Sequence, residues 1–304
     1  MDIFRLEPKD TTAFKQIITF LYKFGVEYIN ITDVDDTSIK ITGASKTKNS
    51  CVEIDLYKHM FIKSYVNNAV PFSVYVNYLH EALKPNTSVV SAYKKIAFTC
   101  HKDGYNRYLL SAHVLHQTEI AVSNFQILFS PEPIKIPTFI LHNSYVGASI
   151  NITQLKYICK ICKSLGLVNI KITMSHDSIK FQSTDPNISY KEVINNIIII
   201  YALHSEQKMS GTYDLNRLLT ICEQKFNGDK SIYMCNDYPL LIVCTTDIGQ
   251  IVSSICPITA IPNNDTIDKY IKIKSESGLD NDCECECEDE LDNDYDYDNI
   301  EIQI

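Results

Sequence analysis

The chain has 304 residues, 45% of them apolar, and a formal charge of −9. That is enough for two domains of ordinary size with packed cores, and no run of about 18 apolar residues or charged-then-apolar leader points to a membrane. The charge is lopsided: the last base is Lys274, and residues 275–304 hold thirteen acids and no base, which leaves twenty-eight bases against twenty-four acids, or +4, in residues 1–274.

In chain order, a short strand over 2–6 leads to a helix over 11–24. Its Phe14, Ile17, Ile18, Leu21 and Phe24 fall at i, i+3, i+4, i+7 and i+10, one buried stripe, and Gly25 closes it. Strands are predicted near 28–32, 38–42 and 51–56, then 72–75 after Pro71. A helix over 76–83 stops before Pro85, which cannot continue it. Strand-like pieces near 88–92, 95–100 and 108–113 follow. Residues 125–143 break both periods and contain Pro131, Pro133 and Pro137, which suits an extended connector.

The second half repeats the order. A strand over 146–150 precedes a helix over 153–165, then strands near 168–173, 178–182, 188–193, 197–203 and 209–213. A helix over 215–226 ends at Asn227-Gly228, and strands near 231–235, 240–245 and 251–256 complete the pattern. The stretch 197–203 is the most apolar of the chain and reads as a buried strand. Residues 261–304 are an acidic tail, with too little apolar surface from Asp280 to Asp298 to offset chain entropy; disorder is expected there.

The two halves are copies. Phe14, Ile17, Ile18, Leu21, Phe24 and Gly25 correspond to Leu155, Ile158, Cys159, Cys162, Leu165 and Gly166, each 141 positions on, and Ser38-Ile39-Lys40-Ile41 corresponds to Ser178-Ile179-Lys180-Phe181. So long a period suits a duplicated domain rather than a solenoid. The fold class is α+β: similar domains over 1–124 and 144–260, each with two helices packed on antiparallel sheets, joined by a connector over 125–143.

No Gly-rich phosphate loop, nucleophile elbow or helical His-Glu-x-x-His pair is present. The eight histidines are scattered. Cys159-Lys-Ile-Cys162 has zinc or redox spacing, but both thiols fall on the apolar stripe, where core packing accounts for them. Cys283, Cys285 and Cys287 alternate with carboxylates that could trap a soft metal, without fixed geometry. The odd total of eleven cysteines and the absence of a secretory pattern favour reduced thiols in an intracellular, reducing compartment. No enzyme activity, metal or cofactor is expected.

The helices carry the informative charges. Lys156, Lys160 and Lys163 stand at i, i+4 and i+7, one stripe of ammonium groups offset from the buried one. Lys15 is the repeat-mate of Lys156, and Lys84, Arg217 and Lys225 extend the set on the other two helices. Snorkelling lysines on a solvated face are one reading; a surface that contacts phosphates without reading bases is the other. Richness in Ile, Asn, Lys and Tyr points to an AT-rich coding genome, such as that of a large DNA virus.

These residues resemble the sliding-clamp family typified by proliferating cell nuclear antigen (PCNA), over most of 1–258. Leu155-Lys-Tyr-Ile-Cys-Lys is similar to the family's third helix, and His176-Asp-Ser-Ile-Lys-Phe181 to its Lys-Asp-Gly-Val-Lys-Phe turn. Pro239-Leu240-Leu241-Ile242-Val243, then Asp247-Ile248-Gly249, then Ile255-Cys256-Pro257 matches its Pro-Leu-Val-Val, Asp-Met-Gly and Leu-Ala-Pro in order and spacing.

The resemblance implies a homotrimeric ring closed head to tail around duplex DNA, with helices lining the hole. It implies a processivity factor for DNA replication and repair that tethers DNA polymerase and other clamp-binding proteins, placed on DNA by a clamp loader, in the nucleus or at a site of viral DNA replication. DNA-facing residues would be Lys15, Lys84, Lys156, Lys160, Lys163, Arg217 and Lys225. Subunits would join through strands over 108–113 and 188–193, with Tyr108, Leu110, Ile188, Tyr190 and Glu192 at the boundary. A partner-peptide groove would use Ala44, Lys48 and Asn49, the connector's Ile127, Leu128, Ile134 and Ile136, and Pro239, Ile255, Cys256 and Pro257.

Ser253 and Ser254 depart from family tyrosines, Glu81 and Glu223 weaken the positive field, the connector is longer and the acidic tail has no family counterpart. That tail could compete with DNA phosphates or dock a basic loader. The competing readings are a clamp-fold scaffold that closes no trimer (a monomeric or dimeric processivity subunit, or a transcription or checkpoint factor) and, resting on the cysteines, a thiol- or zinc-dependent enzyme.

Overall fold

A computed structural model describes residues 2–68, 73–83, 95–102, 108–115, 120–126, 135–136, 145–185, 187–195, 197–200, 208–224, 226, 228–236 and 238–258. The strand expected near 88–92, most of the connector and the acidic tail lie outside them.

The first half runs β1 (Asp2–Pro8), α1 (Thr11–Lys23), β2 (Val26–Asp33), β3 (Ser38–Ser45), β4 (Ser50–Tyr57), β5 (Phe61–Val66), β6 (Ser73–Tyr75), α2 (Val76–Ala82), β7 (Lys95–Lys102), β8 (Tyr108–Leu115) and β9 (Ile120–Gln126). The second runs β10 (Val146–Ser149), α3 (Ile152–Ser164), β11 (Asn169–Met174), β12 (Ser178–Asp185), β13 (Ile188–Asn195), β14 (Met209–Asp214), α4 (Leu215–Cys222), β15 (Gly228–Met234), β16 (Leu240–Thr246) and β17 (Gly249–Ile255).

The repeat extends to the helix caps. Asp10 Oδ1 accepts hydrogen bonds from the Thr12 and Ala13 amides at 2.7 and 3.1 Å; Asn151 Oδ1 accepts from Thr153 and Gln154 at 2.9 and 3.3 Å. Each cap satisfies amides that the first turn leaves orphaned and contributes about 1 kcal/mol. Gly25 and Gly166 end the two helices with φ of 81° and 78°, the left-handed conformation a side chain would strain.

The stripes between the caps supply the core. Ile17, Ile18 and Leu21 of α1, and Leu155, Ile158, Cys159 and Cys162 of α3, are essentially fully buried in one continuous cluster with sheet residues such as Ile29, Ile54, Ile170 and Phe181. Each such side chain contributes about 1.5–3 kcal/mol by leaving water. Phe14 meets Phe61 edge-on at 6.3 Å and Phe98 at 5.6 Å, which fixes α1 between β5 and β7.

The described strands form three antiparallel sheets: β5-β1-β7-β8-β9, β13-β12-β11-β14, and β10-β15-β16-β17-β4-β3-β2-β6. The last crosses between the halves where β17 pairs with β4, from Gly249 opposite Leu56 to Ile255 opposite Ser50. Gly249 has φ +146°, and a Cβ there would lie 1.9 Å from the Asp55 carbonyl oxygen, so this seam demands glycine. A bridge between Ala148 and Ile199 adds a short rung beside β10.

The strand order repeats as the helices do. β6-β2-β3-β4 matches β14-β11-β12-β13. β17-β16-β15-β10, with the bridge, matches β9-β8-β7-β1-β5. Hence β4 and β17, joined to each other inside the chain, are the repeat-mates of β13 and β9, each the edge of its sheet.

Three expectations change. β5 was not expected, because Phe61–Val66 alternates poorly: its burial is confined to the two ends. The strand over 120–126 was likewise not expected. The stretch 197–200 is bridged rather than buried: Ile198 is 71% and Ile200 46% exposed.

Candidate functional site

Three surfaces collect the residues singled out by sequence: the helix faces, the free sheet edges and the pocket beside the connector.

On α3, Lys160 and Lys163 are exposed and Lys156 is half-buried. Seven residues at 1.5 Å rise place the three within about 10 Å along the axis. The ion pairs Arg5–Glu7, Lys58–Asp33, Lys40–Glu53 and Lys40–Asp55, four among the described residues, leave α3 untouched. Lys15 is half-buried on α1. Where α3 carries Lys163, α1 carries Tyr22, whose ring stacks on His80 of α2 at 4.0 Å and 4°. The basic stripe is thus a property of the second half. Lys84 and Lys225 lie outside the described residues.

Arg217 is a correction. One helical position is a rotation of 100°, and here it turns the side chain from the outer face into the seam between the halves. Its guanidinium donates to the Phe24 carbonyl at the end of α1 (3.1 Å) and to Ser50 Oγ on β4, and lies 5.9 Å from the centre of the Phe24 ring. Asp214 caps its amide at 2.9 Å. Arg217 therefore ties α4 to α1 and β4 and offers little to an outside ligand. Beside it, α1 and α4 enclose a cleft of about 280 Å³ edged by Gln16, Thr19, Lys23, Glu223 and Gln224.

At the sheet edges, β13 presents one free side. Ile188 and Val193 are 39% and 41% exposed, and Tyr190 donates its hydroxyl to Glu192 at 3.0 Å on the same strand face. Burial and that carboxylate hold the Tyr190 hydroxyl well above its ordinary pKa. Tyr108 and Leu110 are a second correction. Their strand, β8, is hydrogen-bonded on one side to β7 and on the other to β9, so its backbone has no free edge. Among the described strands, the free edge on that side of the sheet is β9.

The pocket beside the connector brings Ala44, Lys48 and Ile136 together with Glu27 and Tyr28, around about 190 Å³. Lys48 has φ of 53°, which turns the chain sharply at the rim. Asn49 is engaged: its Oδ1 accepts from Ser45 Oγ at 2.9 Å, and its carbonyl accepts from the Cys256 amide at 2.9 Å. Pro239 and Pro257 are buried and Cys256 is half-buried. Ile255 is 1% exposed within the core and presents no surface to a ligand, a third correction. Ile127, Leu128 and Ile134 lie outside the described residues.

Nearby chemistry is structural. Ser254 Oγ accepts from the Cys51 amide and donates to the Cys51 carbonyl, each at 3.2 Å, stitching β17 to β4 where sequence suggested only an altered groove rim. Burial pushes the Cys51 thiol up to about 12 and the Cys256 thiol up to about 11, so both are neutral near pH 7. Cys159 and Cys162 are fully buried, and the Cys159 thiol is in hydrogen-bond contact with Cys222, which with burial holds it far above the ordinary range. Among the described residues, no group of three or more metal-ligating side chains converges and no helix is long and apolar enough to cross a membrane.

No protein-family model and no curated protein matches the chain. Solved structures do. PCNA from Thermococcus kodakaraensis aligns with a TM-score of 0.63 and 18% identity over 84% of this chain and 99% of that one. Proliferating cellular nuclear antigen from Entamoeba histolytica aligns with a TM-score of 0.63 and 12% identity over the same shares. At such identities the likeness establishes the fold: that of the PCNA sliding clamps.

Proposed function

We propose that the chain is a DNA sliding clamp, a non-enzymatic processivity factor whose copies close head to tail around duplex DNA. One observation carries the reading. The strands β4 and β17 join the halves inside the chain, while their repeat-mates β13 and β9 stand as unpaired edges among the described strands. Pairing β9 of one copy with β13 of the next would build β5-β1-β7-β8-β9-β13-β12-β11-β14, the strand order of the sheet that already crosses the intramolecular seam. Such a contact is heterologous: it leaves one edge free on each side and ends only in a closed ring or an open filament. It would also cover two edges that otherwise invite aggregation.

On this reading the domains are residues 1–124 and 144–260, with β9 carrying the first slightly beyond its expected end. Closure with three copies is what the resemblance to the sliding clamps implies. The helices would line the hole, with Lys156, Lys160 and Lys163 as the main phosphate contacts. The pocket of Ala44, Lys48 and Ile136 would hold a short apolar segment of a DNA polymerase or another replication or repair protein, and a loader would open the ring.

The gain is topological. A polymerase tethered to a ring on its template rebinds as an intramolecular event. The discriminating experiment is retention: the closed ring stays on circular duplex through a salt wash and slides off once the circle is cut. Equal loss from circular and linear DNA would exclude encirclement.

One observation favours a clamp-fold scaffold that does not close on DNA. The basic stripe occupies one helix of four, and Glu223 edges the neighbouring cleft.

A further inference from the structure

We propose that the acidic C-terminal segment, residues 275–304, docks on the lysine face of α3 and shields it from other polyanions until displaced. The shielding rests on the reading of α3 as a phosphate-contacting surface; the docking does not.

The tail has a pattern as well as a charge. Asp280, Asp282, Glu284, Glu286, Glu288, Glu290, Asp292, Asp294, Asp296 and Asp298 fall at every second position without interruption. In an extended stretch such a period places all ten carboxylates on one side, about 6.6 Å apart. On α3, Lys156 and Lys160 are about 6 Å apart along the axis, and Lys160 and Lys163 about 4.5 Å. A step of the anion ladder therefore matches the Lys156–Lys160 step to within about 0.6 Å and the Lys160–Lys163 step to within about 2 Å, which the flexible lysine side chains can take up. No base in residues 275–304 neutralises the ladder, and no ion pair among the described residues engages the row.

The exit of the chain puts the two within reach. The Ile258 amide donates to the Thr212 carbonyl of β14 at 2.8 Å. Two residues later β14 passes into α4, which packs against α3. Residues 259–274 then act as a tether. Sixteen residues, taken as a random coil, would span roughly 20–24 Å, about the length of α3 itself. A segment so tethered competes at an effective concentration on the order of millimolar, without requiring a tight site.

The test uses the full chain and a full-length variant in which the ten alternating acids are changed to Asn or Gln. Zero-length carbodiimide coupling, read by mass spectrometry, should join tail carboxylates to Lys156, Lys160 and Lys163 in preference to exposed sheet lysines such as Lys63 and Lys171. The variant should bind a random-sequence duplex at least about tenfold more tightly at about 50 mM salt, and the difference should vanish by about 300 mM. Crosslinks spread evenly over Lys63, Lys171 and α3 would overturn the docking. Equal duplex affinities for the two full-length proteins would overturn the shielding. If neither protein binds duplex while crosslinks still concentrate on α3, the docking stands and the DNA-clamp reading falls.

Discussion

Replacing Arg217 with Ala should weaken the seam between the halves more than any single change on the outer helix faces. The guanidinium makes two hydrogen bonds across the seam, to the Phe24 carbonyl and to Ser50 Oγ, and contacts the Phe24 ring. Hydrogen bonds from a charged donor contribute about 1.5–3 kcal/mol each, and a cation–π contact at a partly buried site about 1 kcal/mol. These terms share one side chain and are not additive, so a loss of about 3 kcal/mol is expected. For a chain of this size that corresponds to roughly 6–12 °C in Tm. Differential scanning calorimetry of R217A beside K160A checks it. R217K should recover less than half the loss, because an ammonium cannot reproduce the planar two-way donation. An R217A protein within about 0.5 kcal/mol of the parent would refute the assignment of Arg217 to the seam.

Gly249→Ala should cost at least about 2 kcal/mol in urea unfolding, since the new Cβ would meet the Asp55 carbonyl at 1.9 Å in a backbone conformation that side chains avoid. The K156A/K160A/K163A triple variant should reduce the slope of log K against log salt by about 2.7 if each lysine neutralises one phosphate; an unchanged slope removes α3 from the DNA surface. Asp35 should titrate at about 2 rather than 3.8, because Thr37 Oγ and the amides of Thr37 and Ser38 donate to its carboxylate. Its folded pKa is depressed, so its contribution to stability is present above pH 3.8 and is lost as pH falls toward 2. An NMR titration should show T37A moving this pKa back up, and no movement would contradict the hydrogen-bond cause.

Much of the fold was legible because buried stripes have a period. The helix expected over 11–24 is Thr11–Lys23, and that over 153–165 is Ile152–Ser164. Both have a polar cap before them and glycine after them, signals independent of tertiary context. The strand β9 was not legible: Ile120–Gln126 has no repeat signal of its own in sequence, and its last two residues fall in the stretch that reads as connector. Missing it placed the free edge one strand too early, on Tyr108 and Leu110. Arg217 failed for a different reason. Basic character is visible in a sequence, but whether a cation faces solvent or a neighbouring helix depends on packing between the halves, and the contact to Phe24 spans 193 positions. Ile255 shows the same limit, since a motif match locates a strand end without saying which side it buries.

The central claim is that β9 and β13, the unpaired mates of a paired seam, close copies of the chain into a ring. Mass in solution tests it most directly. Light scattering across a concentration series should give a discrete species near three times the 34.7 kDa subunit, about 104 kDa, that does not grow further with concentration. A mass that stays at one subunit at tens of micromolar, or that climbs without limit as open filaments would, contradicts the account.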